Sequence, residues 1–116
     1  MELIRAAPGL FTGPQVEPHD MAELAARGIR GIICNRPDGE GEDQPLYAEI
    51  EKAARAHGID TRYVPVTPGQ MTEADVAAFG AALDALPGPV LAFCRTGARA
   101  AALWSRHSGQ TPPAAT

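Results

Sequence analysis

The sequence predicts an α/β domain in which about four mainly parallel strands form a sheet with helices on both faces. Short apolar runs alternate with segments whose apolar residues recur every three or four positions, which indicates strands alternating with helices. Strand-helix-strand connections of this kind produce a parallel sheet. No repeat or second domain is indicated. We therefore expect one domain over residues 1–107 and a flexible C-terminal tail over residues 108–116.

Each element has a local signal. In chain order, the predicted elements are an edge strand at 9–13, a helix at 18–28, a strand at 29–34, a helix at 45–58, a strand at 61–66, a helix at 72–86, and a strand at 90–93 followed by a last helix. Pro45 is expected in the first turn of its helix, and His57 at the end of that helix, where its charge complements the dipole. Pro65 marks a strand end or edge. Thr72 and Asp75 have the layout of a capping box.

Composition and charge narrow the classes of function. The 116-residue chain has a formal net charge of −4, which argues against non-specific nucleic-acid binding because that needs a basic face. No apolar run approaches the roughly 18 residues of a membrane helix, so we expect a soluble, cytoplasmic protein without a membrane partner. Two cysteines lack zinc-site spacing with the three histidines, so we expect no metal or other cofactor. The sequence leaves the oligomeric state open.

The pattern that points to chemistry is residues 88–99, in which an apolar strand ends at Cys94 and a helix begins near Arg99 after one glycine. The backbone N–H groups of residues 95–99 would converge at the helix N-terminus, where a thiolate and a bound oxyanion are both stabilised. The Arg99 guanidinium can hold two oxygens at once. We therefore predict an oxyanion site around Cys94, made by Arg95, Thr96, Gly97, Ala98 and Arg99.

Both parts of this interpretation have an alternative. A lone Cys at the end of a buried strand is usually a small core residue. The combination of Cys94 with Gly97 and Arg99 favours a nucleophilic role for its thiolate instead. The loop 35–44 carries four acids and one arginine. It is either a solvated turn or a source of Asp38 or Glu40 for the thiol site, because loops at the carboxyl ends of parallel strands form sites.

Three stretches, 32–40, 53–66 and 87–104, resemble in this order the bacterial beta-lactamase hydrolase-like protein, phosphatase-like domain family. The resemblance covers nearly the whole chain, from about Leu10 to Trp104. It implies a fold like that of the dual-specificity tyrosine phosphatases, with Cys94 as the nucleophile and Arg99 as the oxyanion-binding arginine. Members of the family also occur beside sulfide-metabolising proteins, and some are described as sulfurtransferases.

The chain departs from the tyrosine phosphatases at three points. Four residues separate Cys94 from Arg99 where those enzymes have five, and rhodanese-type sulfurtransferases commonly have the shorter loop. Ala100 stands where related sequences place a serine that assists departure of the thiolate. Residues 66–70 hold no carboxylate that could protonate a leaving group, so Asp38 is the candidate general acid.

We expect a cysteine-dependent, phosphatase-like hydrolase acting on a small anionic phosphate ester. In that reaction Cys94 forms a thiophosphate intermediate held by residues 94–99, and no metal is needed. One alternative is a rhodanese-like sulfurtransferase that carries a persulfide on Cys94. A second alternative is a non-catalytic anion-binding or interaction module.

The resemblance also bears on the second cysteine. In the strand order that it implies, the strand at 29–34 lies beside the strand at 90–93, and both end at the same edge of the sheet. Neighbouring strands are about 4.8 Å apart, within the Cα separation of about 4.4–6.8 Å that a disulfide allows. Cys34 is then either a resolving thiol for Cys94 or a buried residue whose side chain points away from it.

Overall fold

The computed structural model describes residues 1–109. Its strands are β1 (Ile4–Ala7), β2 (Leu10–Gly13), β3 (Gly31–Cys34), β4 (Asp60–Tyr63) and β5 (Val90–Phe93), and its helices are α1 (Met21–Ala26), α2 (Tyr47–Ala56), α3 (Glu73–Ala85) and α4 (Ala98–Ser108). A short 3₁₀ helix, Pro18–Asp20, leads into α1. The predicted tail lies outside the described residues from 110 onward, while Ser108 still belongs to α4.

The five strands form one sheet in the order β1-β2-β5-β3-β4. β1 is antiparallel to β2, and the other pairings are parallel. β2 was expected at an edge, and this is wrong, because β1 pairs with its outer side. The additional strand is β1, which has no alternating sequence pattern, so the sequence indicated only about four strands. In the register, Phe93 lies opposite Gly13 on one side and Cys34 on the other, so the carboxyl ends of three strands meet there.

Each face of the sheet is covered by helices, which confirms the predicted α/β class. One core lies between the sheet and helices α3 and α4, and it includes Phe79 and Leu103, both fully buried. The other lies between the sheet and helices α1 and α2, and it includes Leu24 and Ile50. β5 is buried on both faces because its side chains alternate between the two cores, as a central parallel strand requires.

Two helix ends test the local predictions. Thr72 Oγ1 accepts the Asp75 N–H at 3.1 Å while the Asp75 carboxylate accepts the Thr72 N–H at 2.9 Å, which confirms the capping box. Pro45 was expected inside the first turn of α2 but precedes it. The helix begins at Tyr47, two residues after Pro45, with Leu46 as the N-cap, and the Glu49 carboxylate accepts the Leu46 N–H at 2.9 Å. Among residues 1–109, no helix has the length and apolar character to cross a membrane.

Candidate active site at the carboxyl edge of the sheet

Cys94 follows β5 directly and lies between the ends of β2 and β3. Its N–H donates to the Gly13 carbonyl at 3.3 Å, and the N–H of Asn35 donates to the Phe93 carbonyl at 2.8 Å. The residue is only 1% exposed. Ladder bonds on both sides therefore hold the backbone of Cys94 at the point where three strands end.

The thiol loop, which we define as residues 94–99, turns sharply at Gly97. This glycine has φ of 99°, in the left-handed region that favours glycine, and a Cβ there would lie 3.3 Å from the Gly13 backbone. The turn aims the Gly97 N–H at the Cys94 Sγ, with a nitrogen-to-sulfur distance of 3.0 Å. The next amide, of Ala98, donates to Thr96 Oγ1 at 3.3 Å. The sulfur thus lies just before α4 with a backbone donor already directed at it.

Arg99 is held by three hydrogen bonds. Its Nη1 donates to Glu40 Oε2 and to the Val66 carbonyl, each at 2.9 Å, and its Nη2 donates to Glu40 Oε1 at 2.8 Å. A guanidinium has five N–H groups, so the Nε–H and one Nη2–H, which point the same way, have no partner among residues 1–109 and are available to an oxyanion. The side chain is only 13% exposed. Its pKa is raised, chiefly by the hydrogen bond with Glu40 and further by the nearby Cys94 charge.

Glu40 connects two arginines. Besides Arg99, its Oε1 accepts from Arg36 Nε at 3.0 Å, and Arg36 Nη1 donates to Gln15 Oε1 at 3.0 Å. The N–H of Gln15 in turn donates to the Arg95 carbonyl in the thiol loop at 3.2 Å. The hydrogen bond from Arg99 is the main reason why the pKa of Glu40 lies below its usual range. The network therefore fixes the position of the Arg99 guanidinium through a carboxylate that stays ionised.

The candidate acid Asp38 lies elsewhere in the same loop. Its Oδ1 accepts the Tyr47 N–H at 2.8 Å at the start of α2, and its own N–H donates to the Tyr63 hydroxyl at 2.9 Å. Gly39, with φ of 81°, turns the chain between Asp38 and Glu40. As a result, the structure brings Glu40 and not Asp38 to Arg99, and it gives the Asp38 carboxylate a helix-capping contact.

Cys34 is buried on the face covered by α1 and α2. It packs in the same core as Phe93, and its Sγ lies 3.4 Å from the Arg36 carbonyl, to which the thiol donates. Burial raises the pKa of this thiol to about 12. Both cysteines are free thiols, and Cys34 is only 3% exposed.

Sequence reasoning missed three polar residues at this edge: Gln15, Asn35 and Arg36. Asn35 is fully buried, and its Nδ2 donates to the Val64 carbonyl at 2.9 Å, while its Oδ1 has no partner within the described residues. The single arginine in an acid-rich loop was the available signal for Arg36, since a buried guanidinium needs a carboxylate partner. Nothing in the sequence marked Gln15, because its partners lie far along the chain.

Residues 3–111 match the family described as beta-lactamase hydrolase-like protein, phosphatase-like domain. The chain belongs to this family. A curated relative, the beta-lactamase hydrolase-like protein of Agrobacterium fabrum, is 38% identical over 104 residues, which make up 90% of this chain and 24% of the relative. The chain thus spans about a quarter of that relative's length.

Solved structures show the same fold. The crystal structure of a "putative phosphatase" from Neisseria meningitidis is 36% identical, covers 94% of this chain and 79% of its own, and superposes with a TM-score of 0.85. TpbA from Pseudomonas aeruginosa, at 20% identity, covers 94% of this chain and 66% of its own with a TM-score of 0.61, and shares the fold alone. The domain is therefore phosphatase-like, with the fold of the tyrosine phosphatases.

Proposed function

We propose that this domain is a cysteine-dependent phosphatase acting on a small anionic substrate. The observation that carries the proposal is the Gly97 N–H directed at the Cys94 Sγ at 3.0 Å, beside a guanidinium whose remaining donors are free for oxygen. Membership in a phosphatase-like family and the likeness to the Neisseria structure support the same chemistry.

The proposed reaction has two displacements. The Cys94 thiolate attacks phosphorus, an S–P bond forms, and the bond from phosphorus to the leaving oxygen breaks with its electron pair on that oxygen. The thiol-loop amides and the free donors of Arg99 hold the non-bridging oxygens as their charge grows. Water then attacks the phosphocysteine, releases inorganic phosphate and restores the thiolate.

A second candidate is transfer of sulfane sulfur, with a persulfide on Cys94. The thiol loop has four residues between Cys94 and Arg99, one fewer than in tyrosine phosphatases, which favours a smaller bound group. In this reaction the thiolate attacks the sulfane sulfur of a donor such as thiosulfate, sulfite leaves, and a thiol or cyanide later removes the sulfur.

One paired assay separates the candidates. The wild-type domain and Cys94→Ser are incubated with an aryl phosphate, and separately with thiosulfate and cyanide. Phosphate release by the wild type alone supports the phosphatase. Thiocyanate formation without phosphate release assigns the domain to sulfur transfer. If sulfate or phosphate binds but neither product forms, the domain is a non-catalytic anion-binding module.

A further inference from the structure

A cleft of about 660 Å³ lies next to the thiol loop, between residues 68–71 and one side of α4. Three arginines line it, Arg95, Arg99 and Arg106. Arg99 and Arg106 are seven residues apart, which places them on the same side of α4 two turns from each other. Charge is therefore concentrated along one wall, extending from the thiol loop.

Two of these arginines can bind a ligand beyond the thiol loop. Arg95 is exposed, and its backbone carbonyl rather than its guanidinium is tied to Gln15. Arg106 pairs with Glu73, whose side chain is 87% exposed, and donates to the Met71 carbonyl at 3.4 Å. An ion pair this exposed contributes little, so an anion in the cleft can replace Glu73 at low cost.

The same cleft lacks a proton donor for a leaving group. Among the described residues its lining holds no carboxylate and no imidazole, and the exposed Glu73 carboxylate, which reaches its edge as the ion-pair partner of Arg106, accepts a hydrogen bond there instead of donating one. Glu40 is not part of the lining, it accepts hydrogen bonds from two arginines, and its pKa lies below the usual range. Asp38 caps α2 and is not part of the lining. An alcohol leaving group therefore departs from this cleft without the roughly 10²–10⁴-fold help of a general acid.

From these two features, and resting on the proposed function, we propose that the natural substrate is a phosphoanhydride. The terminal phosphorus of a diphosphate lies in the thiol loop, and the inner phosphate lies against Arg95 and Arg106. When the Cys94 S–P bond forms, the bond from phosphorus to the bridging oxygen breaks, and the electron pair leaves with the inner phosphate. That group departs as an anion without a proton, since the second pKa of a phosphate ester is about 6.

The two cationic side chains of Arg95 and Arg106 in the cleft select between anionic leaving groups. A carboxylate released from an acyl phosphate has one charge, whereas the phosphate monoester released from a diphosphate has a charge of about −1.5 to −2 and three acceptor oxygens. Arg95 and Arg106 match the phosphate, because each guanidinium can make bidentate bonds with phosphate oxygens.

The test compares methyl diphosphate with methyl phosphate, with 4-nitrophenyl phosphate as a probe of the thiol loop itself. We expect kcat/KM for methyl diphosphate to exceed that for methyl phosphate by at least about 10²-fold, the factor that a missing acid costs an alcohol leaving group. Arg106→Gln is expected to lower the ratio of kcat/KM for methyl diphosphate to that for 4-nitrophenyl phosphate about tenfold. Arg55→Gln removes an equally charged but remote side chain on α2, 73% exposed, and is expected to leave the ratio unchanged.

The outcomes separate the two proposals. If 4-nitrophenyl phosphate is hydrolysed and the two methyl compounds react equally fast, the phosphoanhydride proposal is wrong and the phosphatase proposal stands. An unchanged substrate ratio in Arg106→Gln also overturns it, because the inner phosphate then has no contact with that side chain. If no phosphate probe is hydrolysed, the phosphatase proposal itself fails.

Discussion

Replacing Glu40 with glutamine tests the support of Arg99. The Glu40 carboxylate accepts two hydrogen bonds from Arg99 and one from Arg36. A glutamine side chain keeps one acceptor oxygen and turns an NH₂ group toward a guanidinium, so at least one charge-assisted bond is lost. Such bonds contribute about 1.5–3 kcal/mol each, and we take the lower end because the Glu40 side chain is 20% exposed. We expect kcat/KM for an aryl phosphate to fall roughly tenfold.

The assay is steady-state hydrolysis of 4-nitrophenyl phosphate, with inorganic phosphate as a competitive inhibitor and urea unfolding run in parallel. Glu42→Gln, an exposed carboxylate in the same loop, is the matched control and is expected to behave as the wild type. If Glu40 instead occupied the oxyanion site in competition with substrate, Glu40→Gln would bind phosphate more tightly and react faster. Tighter phosphate binding or faster hydrolysis by Glu40→Gln would refute the role of Glu40 in positioning Arg99.

Protonation of Glu40 should also weaken its bonds with the two arginines and so lower the free energy of unfolding. Its pKa is lowered from 4.5 in the folded protein, so its contribution is present above about pH 4.5 and is lost as the pH falls through the lowered pKa. Glu40→Gln removes this part of the acid dependence. Urea titrations between neutral and acidic pH measure the difference, and an unchanged acid limb in the variant would contradict the ion-pair account.

The remaining predictions concern single residues around the same edge. Asp38→Ala should reduce the free energy of unfolding by about 1 kcal/mol through loss of its α2 contact, and leave unchanged the dependence of rate on leaving group; a selective loss for poor leaving groups would support Asp38 as the acid. Gly97→Ala should destabilise the thiol loop by about 1–3 kcal/mol and slow iodoacetamide alkylation of Cys94, and unaltered alkylation would contradict the donor role of this turn. Because the pKa of Cys34 is raised to about 12, stability should fall by about 1.4 kcal/mol per pH unit above pH of about 9, and Cys34→Ala should flatten this decline. With mild peroxide, peptide mapping should find Cys34 still reduced, whereas a Cys34–Cys94 link would establish the resolving role.

The strands that carry the site were predictable because their signal is local. The β-branched run predicted a strand at 29–34, and β3 occupies Gly31–Cys34. The strand at 90–93 and the thiol that follows it were placed correctly for the same reason. β1 was missed because Ile4–Ala7 has no alternating pattern, and its strand conformation depends on pairing with β2.

The contacts within the site were less predictable because they join distant parts of the chain. Glu40 and Arg99 are 59 residues apart, and no spacing rule relates them. The choice between Asp38 and Glu40 depends on the turn at Gly39, which sends one carboxylate to α2 and the other to the arginine. A single sequence shows that both acids lie in one loop, but it does not show in which direction the turn between them sends each carboxylate.

The most direct test of the central proposal is acid-quenched mass spectrometry of the domain during turnover of an aryl phosphate. The account predicts a phosphoryl group on the peptide that contains Cys94, formed within the first turnover and absent in Cys94→Ser. Arg99→Lys should reduce the rate at which it forms, since a lysine cannot make the bidentate contact. Phosphate release without any adduct on Cys94, or undiminished release by Cys94→Ser, would contradict the proposal.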